Sequence, residues 1–406
     1  MLDAKGFIES IKLRNFLSYG PSADENKLIS LNVLIGSNSS GKSNLIEALG
    51  ILRAAPMDLT EPIREGGGIG EWLWKGSKQK TPAEIAVTLK NPSGQQSLRY
   101  RLSFTMVGQR FELIDESLEN KDRVNPFEED VYFFYRYQNG FPVLNVQDTS
   151  QTSSRAPTGP KLRHLKREDL DPSQSVLSQR KDPDQYPELT YVANQFSKMR
   201  MYREWDLGRY TPPRLPQKPD LPQDFLLEDA KNLVLVLNSL EHKSGAKRVL
   251  LDRLKNFYRG IEDFTVKIEG GTVQLFLHER GLREPVPATR LSDGTLRYLC
   301  MLTILCHPTP PPVVCIEEPE LGLHPDALKS IAELLVDASQ RTQLIVTTHS
   351  ETLVSHLNNV PESILVCERD EDGTKLRRLD KDRLKEWLQQ YNVGELWRMG
   401  EIGGNP

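Results

Sequence analysis

Apolar and polar residues alternate along Phe7-Ile-Glu-Ser-Ile-Lys-Leu-Arg-Asn-Phe16, the period of two expected of a half-buried strand. After a polar turn through Gly20-Pro21 the pattern becomes a continuous apolar run, Val33-Leu-Ile35, which predicts a fully buried strand. Helix-period positions follow at Leu45, Ile46, Ala48 and Leu49, and this helix is expected to end near Ala54, before Pro56. Alternation returns at 83–89, 98–104, 110–114 and 131–135, read as antiparallel strands flanking a mostly parallel sheet. Between them, Arg64-Glu-Gly-Gly-Gly-Ile-Gly-Glu-Trp-Leu-Trp-Lys75 is too glycine-rich for core and too aromatic for a linker.

From about 145 to 190 apolar residues thin out, which predicts a flexible or partner-ordered insertion. Its cations Arg155, Lys161, Arg163, His164, Lys166 and Arg167 read either as a nucleic-acid patch or, because Glu168, Asp169 and Asp171 follow, as a solvated loop. Helix-forming character is expected from Tyr191 to Glu204, then a stiff Pro-rich arm over Tyr210–Pro219. Helical spacing at 232–238 and 249–257 predicts a small helical lobe, and Gly270-Gly271 joins two apolar runs into a hairpin. No repeat and no heptad register of a long coiled coil is found.

The chemistry begins where the buried strand meets the first helix. Gly36-x-x-x-x-Gly41-Lys42-Ser43 has the spacing of a phosphate-binding loop. Glycines let successive backbone N–H groups turn onto a phosphate, and the helix start adds a positive field. The candidate nucleotide-binding residues are therefore Gly36, Ser37, Asn38, Ser39, Ser40, Gly41, Lys42, Ser43 and Asn44. Lys42 is suited to the β- and γ-phosphates of a nucleoside triphosphate and the Ser43 hydroxyl to Mg²⁺.

Three later stretches carry matching groups. Leu291-Ser-Asp-Gly-Thr295 precedes an apolar helical run and offers Ser292 and Gly294 at a helix start. An apolar strand ends in Ile316-Glu317-Glu318-Pro319-Glu320, where Glu317 suits Mg²⁺ and Glu318 suits polarising the attacking water. Another strand, Gln343–Thr347, ends at Thr348-His349; ligands bind at strand carboxyl ends in open α/β sheets.

Length and charge narrow the picture further. At 406 residues two lobes are expected, divided as 1–140 (phosphate loop and antiparallel sheet), 141–290 (inserted helical lobe) and 291–406 (the remaining motifs). A net charge of −4 argues against global affinity for nucleic acid. The four cysteines form no C-x-x-C pair, which reads as buried thiols in a reducing compartment. The apolar run Tyr298–Leu305 is too short to span a bilayer, so a cytoplasmic protein without membrane partners is expected.

Taken in order, these motifs resemble the ABC-type ATPase heads of the RecF, structural-maintenance-of-chromosomes and overcoming-lysogenization-defect proteins. More narrowly, Leu291–Arg297, Glu318-Pro-Glu-Leu-Gly-Leu-His-Pro325 and Gly394-Glu-Leu-Trp-Arg-Met-Gly-Glu-Ile-Gly-Gly404 resemble the stand-alone RecF-like AAA-family ATPases of bacteria. The resemblance implies an α/β P-loop fold of ABC-head type, a mixed central sheet with an antiparallel flank, and ATP with Mg²⁺ as ligands. It also implies two copies packed head to tail, Ser292 and Gly294 of one touching the γ-phosphate held by the other. Lys42, Glu318 and His349 would be catalytic, His349 sensing the γ-phosphate in cis, while Gly322 and His324 would lie at the dimer seam.

Three features depart from that pattern. Glu317 stands where aspartate is usual, no glutamine occurs between the phosphate loop and Gln79, and the long coiled coil is missing. The functional expectation is an ATP-hydrolysing dimeric switch controlling a separate, nuclease-like effector in DNA processing or anti-phage defence. The alternative is a RecF-like repair clamp that grips DNA directly, and a transporter subunit is disfavoured.

Overall fold

The computed structural model describes residues 6–404 except 23, 77–80, 93, 95, 124–129, 139–140, 147–160, 165–169 and 244. The chain opens with β1 (Ile8–Arg14), β2 (Asn26–Lys27), β3 (Leu31–Ile35), α1 (Lys42–Ala54), α2 (Glu61–Glu65) and α3 (Ile69–Trp72). A meander follows: β4 (Ala83–Leu89), β5 (Leu98–Val107), β6 (Arg110–Asn120), β7 (Phe133–Gln138), β8 (Phe141–Val146) and β9 (Lys161–His164). Next come α4 (Val176–Gln179), α5 (Pro187–Ser197), β10 (Arg200–Tyr202), α6 (Leu233–Glu241), α7 (Ala246–Phe257), β11 (Ile261–Glu269), β12 (Thr272–Glu279) and β13 (Val286–Pro287). The last part holds α8 (Asp293–Leu305), β14 (Val313–Glu317), α9 (Pro325–Ala338), β15 (Gln343–Thr347), α10 (Glu351–Ser355), β16 (Ile364–Asp370), β17 (Gly373–Arg378), α11 (Lys381–Leu384) and α12 (Val393–Arg398).

The central sheet has the order β10-β14-β15-β3-β16-β17. Pairing is parallel from β10 to β16, and β17 closes the edge antiparallel. Its inner strands are apolar runs because both faces are covered. Val33, Ile35, Val314, Ile316, Leu344 and Val346 face one core, shared with α8 and α9. Leu34, Val313, Cys315 and Ile345 face the other, shared with α1 and the antiparallel sheet. A single sheet thus divides two cores through the two-residue period of its strands.

The flanking sheet, β2-β1-β4-β5-β6-β7-β8-β9, is antiparallel throughout. The hairpin expected at Gly270-Gly271 is β11–β12, completed by β13. Burial pushes the thiols of Cys300, Cys315 and Cys367 up to about 12, consistent with inert core cysteines. Among the described residues no helix is long and apolar enough to cross a membrane.

Several local expectations need correction. Residues 170–190 pack rather than float: Ser175 is fully buried, and Val176 and Leu177 join the core under the antiparallel sheet. Of the cationic run, Arg155, Lys166 and Arg167 lie outside the described residues, whereas Lys161, Arg163 and His164 stand on β9. Helix extends only to Ser197 in the stretch Tyr191–Glu204, because Arg200–Tyr202 finds an open edge beside β14 and becomes strand. The Pro-rich segment is no free arm: Gln217 pairs with Val273, and Arg214 is buried. Trp72, in the glycine-rich stretch, is core, tilted on Phe16 at 5.8 Å, with Gly66 leaving room for its indole.

Candidate nucleotide site

The phosphate loop turns out of β3 at a place that admits glycine alone. A Cβ on Gly36 would collide with the Cys367 carbonyl, and one on Gly41 (φ 103) with Thr374. Ser37, Asn38 and Ser39 are exposed, while Ser40, Gly41 and Lys42 are buried. The Lys42 ammonium donates to the carbonyls of Gly36 and Ser37 at 2.8 and 2.9 Å. Burial lowers its pKa, with Glu318 among the groups pulling the other way. Around the loop, Thr374 donates to the Ser40 carbonyl, Tyr19 to that of Gly41, and Asn44 to the Ser18 hydroxyl. Phe16, at the end of the first alternating stretch, is fully buried in the core.

Adjacent strands bring the remaining groups to the same edge, since β14, β15 and β3 are consecutive in the sheet. The Ser43 hydroxyl donates to a Glu317 carboxylate oxygen at 2.9 Å. Burial raises the Glu317 pKa, opposed by the Ser43 hydrogen bond and by Arg203. Glu318 has φ 46, in the left-handed region where a non-glycine residue is strained, and its N–H donates to the Thr347 carbonyl. Its carboxylate stands 3.9 Å from His349 Nε2. Glu320 Oε1 accepts from the Thr348 hydroxyl at 2.7 Å and the His349 N–H at 2.8 Å, tying the two strand ends together.

Arg203, at the end of β10, escaped the sequence reading. Its guanidinium donates to Glu47 Oε1 at 2.7 Å and stands 3.4 Å from Glu317 Oε1. Burial lowers its pKa, but the Glu47 and Glu317 carboxylates outweigh this and raise it. The one available signal was the short pattern Met199-Arg-Met-Tyr-Arg203, an apolar step ending on a cation.

Ser292 and Gly294 group elsewhere. The Ser292 hydroxyl caps α8, accepting from the Thr295 N–H at 3.1 Å. Beneath it the buried Arg214 donates to the carbonyls of Leu207 and Leu291 and to Asp293. A Cβ on Gly294 would meet the Gly322 carbonyl at 3.1 Å, so α8 abuts the turn after Glu318. Ser292, Thr295 and His324 line a cavity of about 530 Å³, together with Tyr258, Arg290 and Asp326 and with no residue of 36–44. The expected site residues thus form two groups, one at the phosphate loop and one at the start of α8.

Residues 31–355 match the family model described as "AAA domain, putative AbiEii toxin, Type IV TA system". The chain belongs to this AAA family. The ATPase is 20% identical over 370 residues to an ATP/GTP phosphatase of Helicobacter pylori (strain ATCC 700392 / 26695), covering 87% of this chain and 88% of that protein. It is 37% identical over 75 residues to the Old nuclease of Escherichia phage P2, spanning 18% of this chain and only 12% of the nuclease. Among solved structures it is similar to an Smc head bound to the C-winged helix domain of ScpA (TM-score 0.57, 16% identity, 93% and 99% of the two chains). A Pyrococcus furiosus Smc head bound to the C-terminal domain of ScpA is similar at TM-score 0.57, 14% identity, and 95% and 99% coverage. The fold is therefore that of an ABC-type P-loop ATPase head, and the protein is an ATPase of this AAA family.

Proposed function

We propose that this ATPase is a dimeric switch, closed by ATP and opened by hydrolysis, that controls a separate nuclease-like effector in DNA processing or anti-phage defence. The observation that supports the proposal is that Ser292, at the start of α8, lines a groove whose lining includes no residue of 36–44. A γ-phosphate on the loop of one copy is completed by the α8 start of a second copy, whose capped helix end favours an anion. Closure then excludes water and makes hydrolysis depend on the dimer.

Within one copy we assign the roles as follows. The loop N–H groups of 36–43 and the Lys42 ammonium hold the β- and γ-phosphates. Ser43 and Glu317 supply oxygen donors that fit Mg²⁺, a hard cation that keeps several waters. Bound there, the metal supplies neutralising charge to the β- and γ-phosphate oxygens. Glu318 orients the attacking water and takes its proton; His349 reports the γ-phosphate through the same loop that Glu320 holds. The short likeness to Old nuclease supports a nuclease-linked pathway.

The test is light scattering of Glu318→Gln and Lys42→Ala with ATP and Mg²⁺, followed by native pull-down of Glu318→Gln. Glu318→Gln should retain ATP and run as a dimer, whereas Lys42→Ala should bind none and run as a monomer. A stoichiometric nuclease-like partner supports the switch. Nuclease-sensitive DNA on a bare dimer would replace it with the repair clamp, and hydrolysis by Glu318→Gln at the wild-type rate would remove the base assignment.

A further inference from the structure

The C-terminal glycine motif has no part in the roles described so far, yet its backbone reaches the phosphate loop. Gly404 (φ 59) lies against Gly36: a Cβ on it would stand 3.3 Å from the Gly36 Cα and 2.7 Å from Val366 Cγ1. The segment is held there by specific groups. The indole N–H of the fully buried Trp397 donates to the Gly404 carbonyl. Glu368 accepts from the Gly404 N–H at 3.0 Å, and Arg377 donates to the Ile402 carbonyl at 2.6 Å. Glu368 stands on β16 next to Cys367, whose carbonyl is the atom that forbids a side chain at Gly36.

The other end of the same segment is fastened to the helix that follows His349. Gly394 packs so closely on α10 that a Cβ would collide with Ser355 and with the Glu351 carbonyl. Ser355 donates to Asn392 at 2.8 Å, and Asn392 in turn caps α12 in a reciprocal pair with Glu395. Arg398 stands 3.6 Å from Glu351.

We propose that residues 392–404 are a positioning brace of the ATPase site, which seats Gly36 against the Cys367 carbonyl and joins the phosphate loop to α10. The physical basis is the absence of slack. Gly36 is pressed between two backbones, and its own carbonyl receives the Lys42 ammonium. Any outward shift of Gly404 therefore releases the loop carbonyl and N–H positions on which phosphate contacts depend. The proposal rests on the reading that Gly36–Ser43 holds the nucleotide.

The experiment compares Gly404→Ala and Trp397→Phe in the full chain, at a temperature where circular dichroism shows both folded. Trp397→Phe keeps an aromatic ring in the core, at some loss of volume, and removes the donor to Gly404. Expected is an increase in KM for ATP, and in Kd for a fluorescent ATP analogue, of about tenfold for Gly404→Ala and a few-fold for Trp397→Phe. A purely structural role would lower Tm and leave both constants at wild-type values, and that result overturns the brace. Trp397→Phe decides the matter if Gly404→Ala does not fold. Lys42→Ala separates the two layers: retained ATP binding there defeats the phosphate-loop reading. Lost binding there beside an unchanged Gly404→Ala defeats the brace alone.

Discussion

At the scale of single residues, the acids and cations at the strand ends divide the work by environment. Glu317 is tied to Ser43 and Arg203, whereas Glu318 is half-exposed on a strained backbone facing His349. Arg203 stands beside the Glu317 oxygen that Ser43 does not bind, so in the proposed metal site it would act on the metal through that carboxylate. Arg203→Ala is expected to lower kcat about tenfold or more with a smaller change in nucleotide affinity, because it loosens an acid whose position matters most in the transition state. Arg203→Lys should recover only part of the loss, since an ammonium cannot reach Glu47 and Glu317 with the two-pronged geometry of a guanidinium. Steady-state ATPase rates alongside analogue titration check this, and an unchanged kcat would leave Arg203 as a tie between strands. Its role was hidden in the sequence because a three-residue strand carries too little periodicity to distinguish from a helix end.

At the scale of elements, β6 shows how partners convert polar residues into core. The alternating pattern stops at Ile114 in the sequence, but the strand runs to Asn120 with Glu116 and Glu119 buried. Glu116 accepts from Tyr100, Ser175 and the Val176 N–H, and Glu119 from Arg136. Burial pushes the Glu116 carboxyl up to about 7, against those hydrogen bonds, which lower it. A carboxyl raised on folding favours the folded state when protonated. Its contribution is full below pH 4.5 and is lost as the pH rises to about 7, with a slope of up to about 1.4 kcal/mol per pH unit. Glu116→Gln has no such proton to lose: its amide oxygen can accept from Val176 N–H and its NH₂ can donate to the two hydroxyls. Urea midpoints at pH 5, 6, 7 and 8 should fall less steeply for Glu116→Gln than for wild type, and parallel curves would show that Glu116 is not the group responsible.

For the whole molecule, the decisive prediction concerns two copies. If each ATP site is shared, Lys42→Ala and Ser292→Arg are each inactive alone, the first lacking a phosphate grip and the second a usable α8 start. A mixed dimer then contains one site with both halves intact. Each mixed pair has one of its two sites working, so equal mixing should restore ATPase activity, to no more than about half of wild type. No recovery would mean that Ser292 serves only its own chain, as the cap of α8 seen here.

What the sequence determined was local. An apolar strand, glycines at fixed spacing, a lysine and a serine specify a phosphate loop because all the atoms involved lie within ten residues of one another. Acids at the end of one apolar run and a histidine at the end of another were visible for the same reason, as was the α/β alternation. Tertiary structure decided which of those strand ends meet. Periodicity reports which faces are buried and is silent on strand order, which comes from the crossovers that place β14 and β15 beside β3 across some 300 residues of chain. The same long-range packing set Arg203 beside Glu317, buried Glu116 and pressed Gly404 onto Gly36. It also set the start of α8 against Arg214 and the turn at Gly322, neither of which is near it in sequence.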